Sequence, residues 1–193
     1  HSTTPNSVRQ HNIKWQVIGN QVPPGGNAVT RWLGRTILRS LGWRIQGTLP
    51  NAPKFIIAVA PHSSNFDFIL TVCVIMSLGF KCNYLAKASL FRFPLGIIVR
   101  AFGGIPVDRS TPSGLVDQMA ALFASAPKMI LGIAPEGTRK KVHTWRSGFA
   151  LIAKAADVPI QPAVIHYRQK LITFTTLITD TRDPTQTLER VQQ

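Results

Sequence analysis

His62 and Asp67 are the two side chains whose types and spacing best suit proton transfer, within the stretch Ala60-Pro-His-Ser-Ser-Asn-Phe-Asp67. An imidazole is the usual general base near neutral pH, because its unperturbed pKa lies close to that pH. A carboxylate on the second ring nitrogen would fix the tautomer and orientation of the ring. Asp67 lies little more than one helical turn beyond His62 and could supply that carboxylate. The alternative is a capping box, in which Ser64 and Asp67 only start a helix.

Two further segments combine arginine with turn-forming residues, Gly104-Ile-Pro-Val-Asp-Arg109 and Pro135-Glu-Gly-Thr-Arg139. An arginine guanidinium contacts phosphate through a planar fork of donors, which lysine lacks. Gly137 permits a tight turn in which the backbone approaches a ligand closely. Taken alone, each arginine is also explained as an ordinary surface charge. The glycines near Arg139 do not form a nucleotide-binding P-loop, because the required Lys-Ser/Thr pair is absent.

These blocks are followed by Val158-Pro-Ile-Gln-Pro162. In this order the four blocks resemble those of the glycerolipid acyltransferases that esterify lysophosphatidic acid, over about residues 42–167. The resemblance implies that His62 is a general base oriented by Asp67. It also implies that His62 deprotonates the hydroxyl of a lysophospholipid, which attacks an acyl thioester of coenzyme A or acyl carrier protein. No acyl-enzyme intermediate, metal or bound organic cofactor is expected.

The resemblance further implies which residues hold the acceptor. Arg109 and Arg139 match phosphate-contacting arginines, and Glu136 matches a residue that is structural or orients the glycerol. The other acceptor-site candidates are Gly137, Thr138 and Lys87. Two departures leave the acceptor open: Pro61 stands where many members have Asn, and Ile105-Pro-Val107 replaces a Phe-Ile or Phe-Val pair. A lyso-amino-acid lipid is therefore the alternative to lysophosphatidic acid.

The charge balance points to an anionic partner. The chain has 22 Lys and Arg against 8 Asp and Glu, for a formal charge of +14. Such a field attracts nucleic acid, anionic lipid or an acidic carrier protein. Aromatic residues do not interleave with the basic ones as in a base-stacking surface, so we expect no nucleic acid partner. A lipid-binding protein without catalysis is a further alternative, against which His62 and Asp67 argue.

Hydrophobic patterning predicts one α/β domain over residues 28–193, after an irregular arm over residues 1–27. Strands alternate with helices, which predicts a mixed, largely parallel sheet flanked by helices, with the chemistry at strand-to-helix turns. Pro162 within a predicted strand suggests a sheet edge or a bulge. The tail from Asp180 is polar and predicts no element. The predicted strands are 54–60, 83–86, 105–107, 129–134, 160–167 and 171–178, and the predicted helices are 28–42, 64–78, 115–124 and 148–156.

We expect peripheral association with the cytoplasmic face of a membrane. The longest charge-free apolar run, Phe68 to Phe80, is too short to span a bilayer, and the first 27 residues show no signal peptide. The predicted helix from Ala28 to Gly42 is amphipathic, with Leu38 as its one misfit. We predict that it contacts an anionic membrane, whereas the alternative is a surface helix anchored in the core by Trp32. The predicted membrane contacts are Arg31, Trp32, Arg35 and Arg39.

Overall fold

The structure is a computed structural model that describes residues 18–61, 65–107, 112–135 and 147–192. Strands and helices alternate over residues 54–166, as the hydrophobic pattern predicts. The strands are β1 Arg44–Gln46, β2 Lys54–Ala60, β3 Asn83–Lys87, β4 Gly104–Val107, β5 Met129–Ile133, β6 Ile160–His166 and β7 Leu171–Phe174. The α-helices are α1 Ala28–Ser40, α2 Asn65–Leu78, α3 Leu95–Ala101, α4 Pro112–Ser125, α5 Gly148–Ala156 and α6 Pro184–Gln192, and a 3₁₀ helix covers Ala88–Phe91.

All seven described strands join one sheet in the order β1-β7-β6-β2-β5-β3-β4. The strands from β6 through β4 in this order run parallel. Strand β7 is antiparallel to β6, and β1 runs parallel to β7. The carboxyl ends of five parallel strands therefore meet at one edge of the sheet, which we call the carboxyl edge.

Helices cover both faces of the sheet. Neighbouring residues of β2 point to opposite faces, and both sets are apolar, so each face needs a covering layer. Phe55 and Ile57 pack in one core cluster with the helices α1 and α2. Ile56 and Ala58 pack in a second cluster with α4, α5 and α6. This arrangement confirms the predicted single α/β domain with a mixed, largely parallel sheet. The boundary at residue 27 stays a prediction, although Val22 is buried in the first cluster.

Helix α1 begins where the Asn27 side chain accepts a hydrogen bond from the Thr30 main-chain nitrogen. It packs on α2 through Gly34 and the wholly buried Leu38, the residue that did not fit the predicted apolar side. Most of its expected apolar side faces outward instead, and Trp32 is 65% exposed, although Ile37 packs against the core. The reason is that Gly34 lets the two helix backbones approach closely, so the inward face needs few large side chains. The alternative in which Trp32 anchors α1 in the core is therefore wrong.

Arg31 and Arg35 lie on the half-buried flank of α1, beside the carboxyl-terminal end of α2. The Arg35 Nε donates a hydrogen bond of 3.1 Å to the Ser77 carbonyl oxygen. The Arg31 stem lies close to Gly79. Helix α2 has no basic residue in its own last turn, so these cations complement the partial negative charge there. Arg31 and Arg35 were expected to face lipid headgroups, but both side chains also contact the end of α2 or the turn that follows it.

Strand β6 lies between β7 and β2, so Pro162 is in an interior strand and not at a sheet edge. Its register with β2 continues without a bulge through Gln161, Pro162 and Ala163. The Gln161 side-chain amide donates to the Thr175 carbonyl oxygen at 2.7 Å, on the side where Pro162 has no N–H to offer. The expectation of an edge or bulge was wrong because a neighbouring side chain replaces the missing donor.

In the described ranges, no helix is both long and apolar enough to cross a membrane.

Candidate active site

The carboxyl edge brings together the ends of four strands that carry or precede predicted site residues. Strands β2, β5, β3 and β4 are consecutive neighbours in the sheet. In sequence, His62 follows the end of β2, Glu136 to Arg139 follow the end of β5, and Arg109 follows the end of β4. Neighbouring strands are about 4.8 Å apart, so the ends of β2 and β4 are separated by roughly 14 Å. Three of the four motif blocks therefore leave the sheet within a short distance of one another, whereas the fourth, residues 158–162, enters β6 at the opposite edge.

Several predicted site residues lie outside the described residues. These are His62, Arg109, Glu136, Gly137, Thr138 and Arg139. Their roles stay predictions, which rest on the sequence motifs and on the strand ends that precede them.

Lys87 is the last residue of β3, and it is exposed at the carboxyl edge. It pairs in register with Val107 of β4, which precedes Arg109 by two positions. The sheet therefore places this cation beside the point where the Asp108-Arg109 segment leaves β4. This position is compatible with the predicted acceptor role.

Asp67 lies in the first turn of α2 and is wholly buried. Its carboxylate accepts a hydrogen bond from the Tyr167 hydroxyl at Oδ1. Its main-chain carbonyl accepts a second bond, of 2.7 Å, from the Thr71 hydroxyl. The amino-terminal end of a helix favours negative charge, and the hydrogen bond from Tyr167 offsets part of the hydration that the buried carboxylate loses. Asp67 is thus a fixed group at the carboxyl edge and not a solvated surface charge.

Tyr167 is a candidate functional residue that the sequence analysis missed. It directly follows β6, so its main chain is also at the carboxyl edge. Its ring meets the Trp43 ring edge-on, with 6.0 Å between centroids, and Trp43 also contacts Phe66. Trp43 is itself buried. This aromatic packing holds the Tyr167 hydroxyl toward Asp67. Its one sequence signal is its place at the end of the predicted strand 160–167.

A small apolar cavity of about 40 Å³ lies between α2 and the sheet. It is lined by Thr71, one helical turn beyond Asp67, and by apolar side chains of β2, β6 and β7. A water molecule needs roughly 10–15 Å³ by the same measure, so the cavity has room for only a few small groups. In this conformation it does not accommodate a long acyl chain.

A metal centre finds no support in the described part of the chain, where no three His, Cys, Asp or Glu residues form a cluster able to hold an ion. Cys73 and Cys82 are both buried and reduced. Burial raises the pKa of the Cys82 thiol to about 12, which leaves it protonated at neutral pH. Neither cysteine is therefore suited to act as a nucleophile at the carboxyl edge.

Comparison with known proteins agrees with the geometry. The family model described as Acyltransferase matches residues 44–166. Lysophosphatidylcholine acyltransferase 2 of Rattus norvegicus is 30% identical over 160 residues, which are 75% of this chain and 27% of the relative. The chloroplastic 1-acyl-sn-glycerol-3-phosphate acyltransferase BAT2 of Brassica napus is 27% identical over 128 residues, which are 63% of this chain and 36% of the relative. The chain thus spans about a quarter to a third of the length of these two proteins.

The fold has a counterpart among solved structures. The crystal structure of the 1-acyl-sn-glycerophosphate (LPA) acyltransferase PlsC from Thermotoga maritima superposes with a TM-score of 0.57. The alignment covers 85% of this chain and 77% of that protein, at 16% sequence identity. At that identity the likeness establishes the fold alone. Because the family model covers well over half of the sequence and the rat relative is 30% identical over three quarters of it, this chain belongs to the acyltransferase family.

Proposed function

We propose that this protein moves a fatty acyl group from an acyl thioester to the hydroxyl of a lysophospholipid. The observation that carries the proposal is the convergence of the motif-bearing strand ends at one edge, with Asp67 buried and hydrogen-bonded there. The two relatives are named for acyltransferases of lysophosphatidylcholine and of 1-acyl-sn-glycerol-3-phosphate, both of which are lysophospholipids. These names support the acceptor class.

In the proposed reaction, His62 removes the proton from the acceptor hydroxyl. The resulting oxygen forms a bond to the thioester carbonyl carbon, and the carbon–sulfur bond then breaks. The thiol of coenzyme A or acyl carrier protein leaves as a thiolate, which takes the proton back from His62. Asp67 accepts from the second ring nitrogen of His62 and stabilises the imidazolium. Tyr167 holds Asp67 in place through the hydrogen bond to Oδ1.

We propose lysophosphatidic acid as the acceptor, with phosphatidic acid as the product. A phosphate monoester suits two arginines, because each guanidinium offers paired donors to its oxygens. In this proposal Arg109 and Arg139 bind the phosphate, and Lys87 adds a cation at the neighbouring strand end. Glu136, Gly137 and Thr138, which precede Arg139 in the sequence, complete the proposed acceptor site. A lyso-amino-acid lipid is the alternative acceptor.

The direct test is thiol release by the purified protein with a panel of lysolipids, each offered with acyl-CoA and with acyl carrier protein. We expect turnover to require a lysolipid and to be fastest with lysophosphatidic acid. Faster turnover with a lyso-amino-acid lipid would replace the proposed acceptor. Thiol release at the same rate without any lysolipid would identify a thioesterase and contradict the proposal.

Alanine at Arg109 or Arg139 should weaken acceptor use more than donor use. Each change removes charge-assisted hydrogen bonds worth about 1.5–3 kcal/mol, which corresponds to roughly 10- to 150-fold in the acceptor KM. Initial rates measured while acceptor and thioester are varied separately distinguish the two substrates. Arg182→Ala is the matched control, because Arg182 is exposed and pairs with Asp180 ahead of α6. A change confined to the donor KM would show that the headgroup roles are wrong.

We also propose that the protein works as a peripheral enzyme on the cytoplasmic face of an anionic membrane. The outward side of α1 supports this, since Val29, Trp32 and Leu33 are exposed there. Arg39 is also exposed, in the last turn of the same helix. An apolar face bordered by arginines is typical of helices that lie in a membrane interface.

Replacing both Trp32 and Leu33 by serine should weaken binding to anionic vesicles by at least about tenfold, because two apolar side chains no longer enter the interface. Co-sedimentation with vesicles of increasing anionic lipid content measures the change. Leu151→Ser is the control, because Leu151 is an exposed apolar residue of α5 on the opposite layer. Charge reversal at Arg35 is a poorer test, since Arg35 also contacts the end of α2. Equal sedimentation of the double variant and the wild type would exclude α1 as the contact.

A further inference from the structure

The connection between β3 and β4 exposes an unusual concentration of apolar side chains. We call this the α3 surface, and Phe93 is its most exposed member, at 86%. Isolated exposed apolar residues are normal, but six of them within one short connection point to a surface that binds a partner. The surface consists of Leu90, Phe93, Leu95, Ile97, Ile98 and Phe102.

The α3 surface is held firmly by the fold beneath it. A Cβ added at Gly96 would lie 2.1 Å from the Phe91 carbonyl oxygen, so α3 packs directly on the preceding 3₁₀ helix. The Tyr84 hydroxyl of β3 donates to the Val99 carbonyl oxygen at 3.4 Å. The half-buried Phe91 and Val99 thus face the sheet, while the exposed set faces away. The apolar exposure therefore belongs to a packed element.

The α3 surface borders the candidate active site. Its 3₁₀ helix begins directly after Lys87, at the carboxyl edge. The Tyr84 ring meets the Phe68 ring edge-on, with 5.4 Å between centroids, and Phe68 is in the same helical turn as Asp67. Phe68 and Ile69 are themselves exposed. Apolar surface therefore continues from the first turn of α2 to α3.

Charge identifies the partner that fits this surface. No Asp or Glu lies between Asp67 and Asp108, whereas Lys81, Lys87, Arg92 and Arg100 do. Arg92 and Arg100 are exposed within the α3 segment, and the Arg100 guanidinium lies 5.4 Å from the centroid of the Phe91 ring. A second copy of a chain with a formal charge of +14 would be repelled. Anionic lipid satisfies both the apolar and the cationic side chains.

We propose that the α3 surface docks on an anionic phospholipid bilayer, with Phe93 and Ile97 below the headgroups and Arg92 and Arg100 at the phosphates. This goes beyond the proposed function, because it assigns a second lipid contact, on a separate element from α1. It also places the candidate active site at the membrane surface, where a lysolipid would enter from the side.

A fluorescent label at position 93 tests the docking directly. Phe93→Cys introduces a reactive thiol on the surface, because the native Cys73 and Cys82 are buried. An environment-sensitive fluorophore attached there should shift to shorter wavelength with vesicles of phosphatidylcholine and phosphatidylglycerol, and a quencher on the acyl chains should reduce its emission. The same label on Leu151→Cys, on the opposite layer, should show neither the wavelength shift nor the quenching. No substrate is present, so the outcome does not depend on the acyltransferase proposal.

A second variant measures the strength of the contact. Phe93→Ser combined with Ile97→Ser should weaken vesicle binding by at least about tenfold, because both side chains lose their burial. Three results would each overturn the proposal. One is a label at position 93 that behaves like the label at position 151 on vesicle-bound protein. Another is a label that iodide cannot quench before lipid is added, which would show that the protein covers the surface. The third is a lipid-independent shift that grows with protein concentration, which would indicate self-association.

Discussion

His62→Ala should lower thioester-dependent acyl transfer by about 10²–10⁴-fold, the usual contribution of a general base. The acceptor hydroxyl is a poor nucleophile until its proton is removed, and in the proposed mechanism His62 is the base that removes it. The loss should appear in kcat, because the base acts on the reaction and not on binding. Initial rates of thiol release measure it.

His11→Ala is the matched control, since His11 is outside the motif blocks and precedes the described part of the chain. Circular dichroism and the melting temperature should show that both variants fold. A His62→Ala enzyme within about tenfold of the wild-type rate would contradict the assignment, because such a loss is below the range for a missing base.

Asp67→Asn is expected to have the second-largest effect, a loss in kcat of about 10²–10⁴-fold. In the serine-protease triad the same change lowers kcat by roughly 10⁴-fold, because the imidazole is held in the wrong tautomer. The amide retains the shape of the carboxylate and an oxygen that accepts from Tyr167, so the local structure should survive. What it loses is the negative charge that stabilises the imidazolium. Rates measured across pH should fall throughout the range, with little change in the acceptor KM.

Tyr167→Phe separates positioning from charge at the same place. It removes the hydrogen bond to Oδ1 but leaves the Asp67 carboxylate and the aromatic packing on Trp43. Hydrogen bonds to charged groups contribute about 1.5–3 kcal/mol, so kcat should fall by roughly tenfold or more. A folded Asp67→Asn enzyme with the wild-type rate would exclude Asp67 from the mechanism. If Asp67→Asn fails to fold, an unchanged kcat in Tyr167→Phe contradicts the positioning role instead.

The elements with strong local patterns could be predicted from the sequence. The run Lys-Phe-Ile-Ile-Ala-Val-Ala became β2 with the predicted bounds, and α5 spans the predicted Gly148–Ala156. In both elements the local sequence preference and the burial in the folded protein favour the same secondary structure. Helix α1 also formed as predicted, ending before Gly42, whose positive φ stops a helix readily.

Other elements depended on contacts that the local pattern does not contain. Helix α3 was missed because its apolar residues do not form the single buried side that a helical pattern is expected to show. Strand β1 is only three residues long and gains its order from pairing with β7. The tail read as featureless, yet Asp183 accepts from the Thr185 nitrogen and starts α6, which buries Thr187 and Val191. The signal available in the sequence was Asp183-Pro184, a pair typical of a helix start.

The candidate site divides in the same way. The motif blocks and their order indicated the family and therefore the general chemistry. Each block is a short run of neighbouring residues, so it can be recognised without knowledge of the fold. Tyr167 could not be found by such reasoning, since it is separated from Asp67 by 100 residues. Only the pairing of β6 beside β2 brings the two together. The orientation of α1 likewise depended on Gly34, whose importance shows only when α2 is packed against it.

The close packing of α1 on α2 has a mechanical consequence. A Cβ at Gly34 would lie 2.7 Å from the Ser77 main-chain nitrogen, so the two helix backbones have no room to slide past each other. Asp67 is at the other end of α2, ten residues away, or about 15 Å along the helix axis. A packed helix transmits displacement along its length, so we expect Asp67 to move together with α1. With α1 lying in a membrane, the carboxylate would stand at a set height above the lipid, and an acceptor would be selected partly by how far its hydroxyl protrudes.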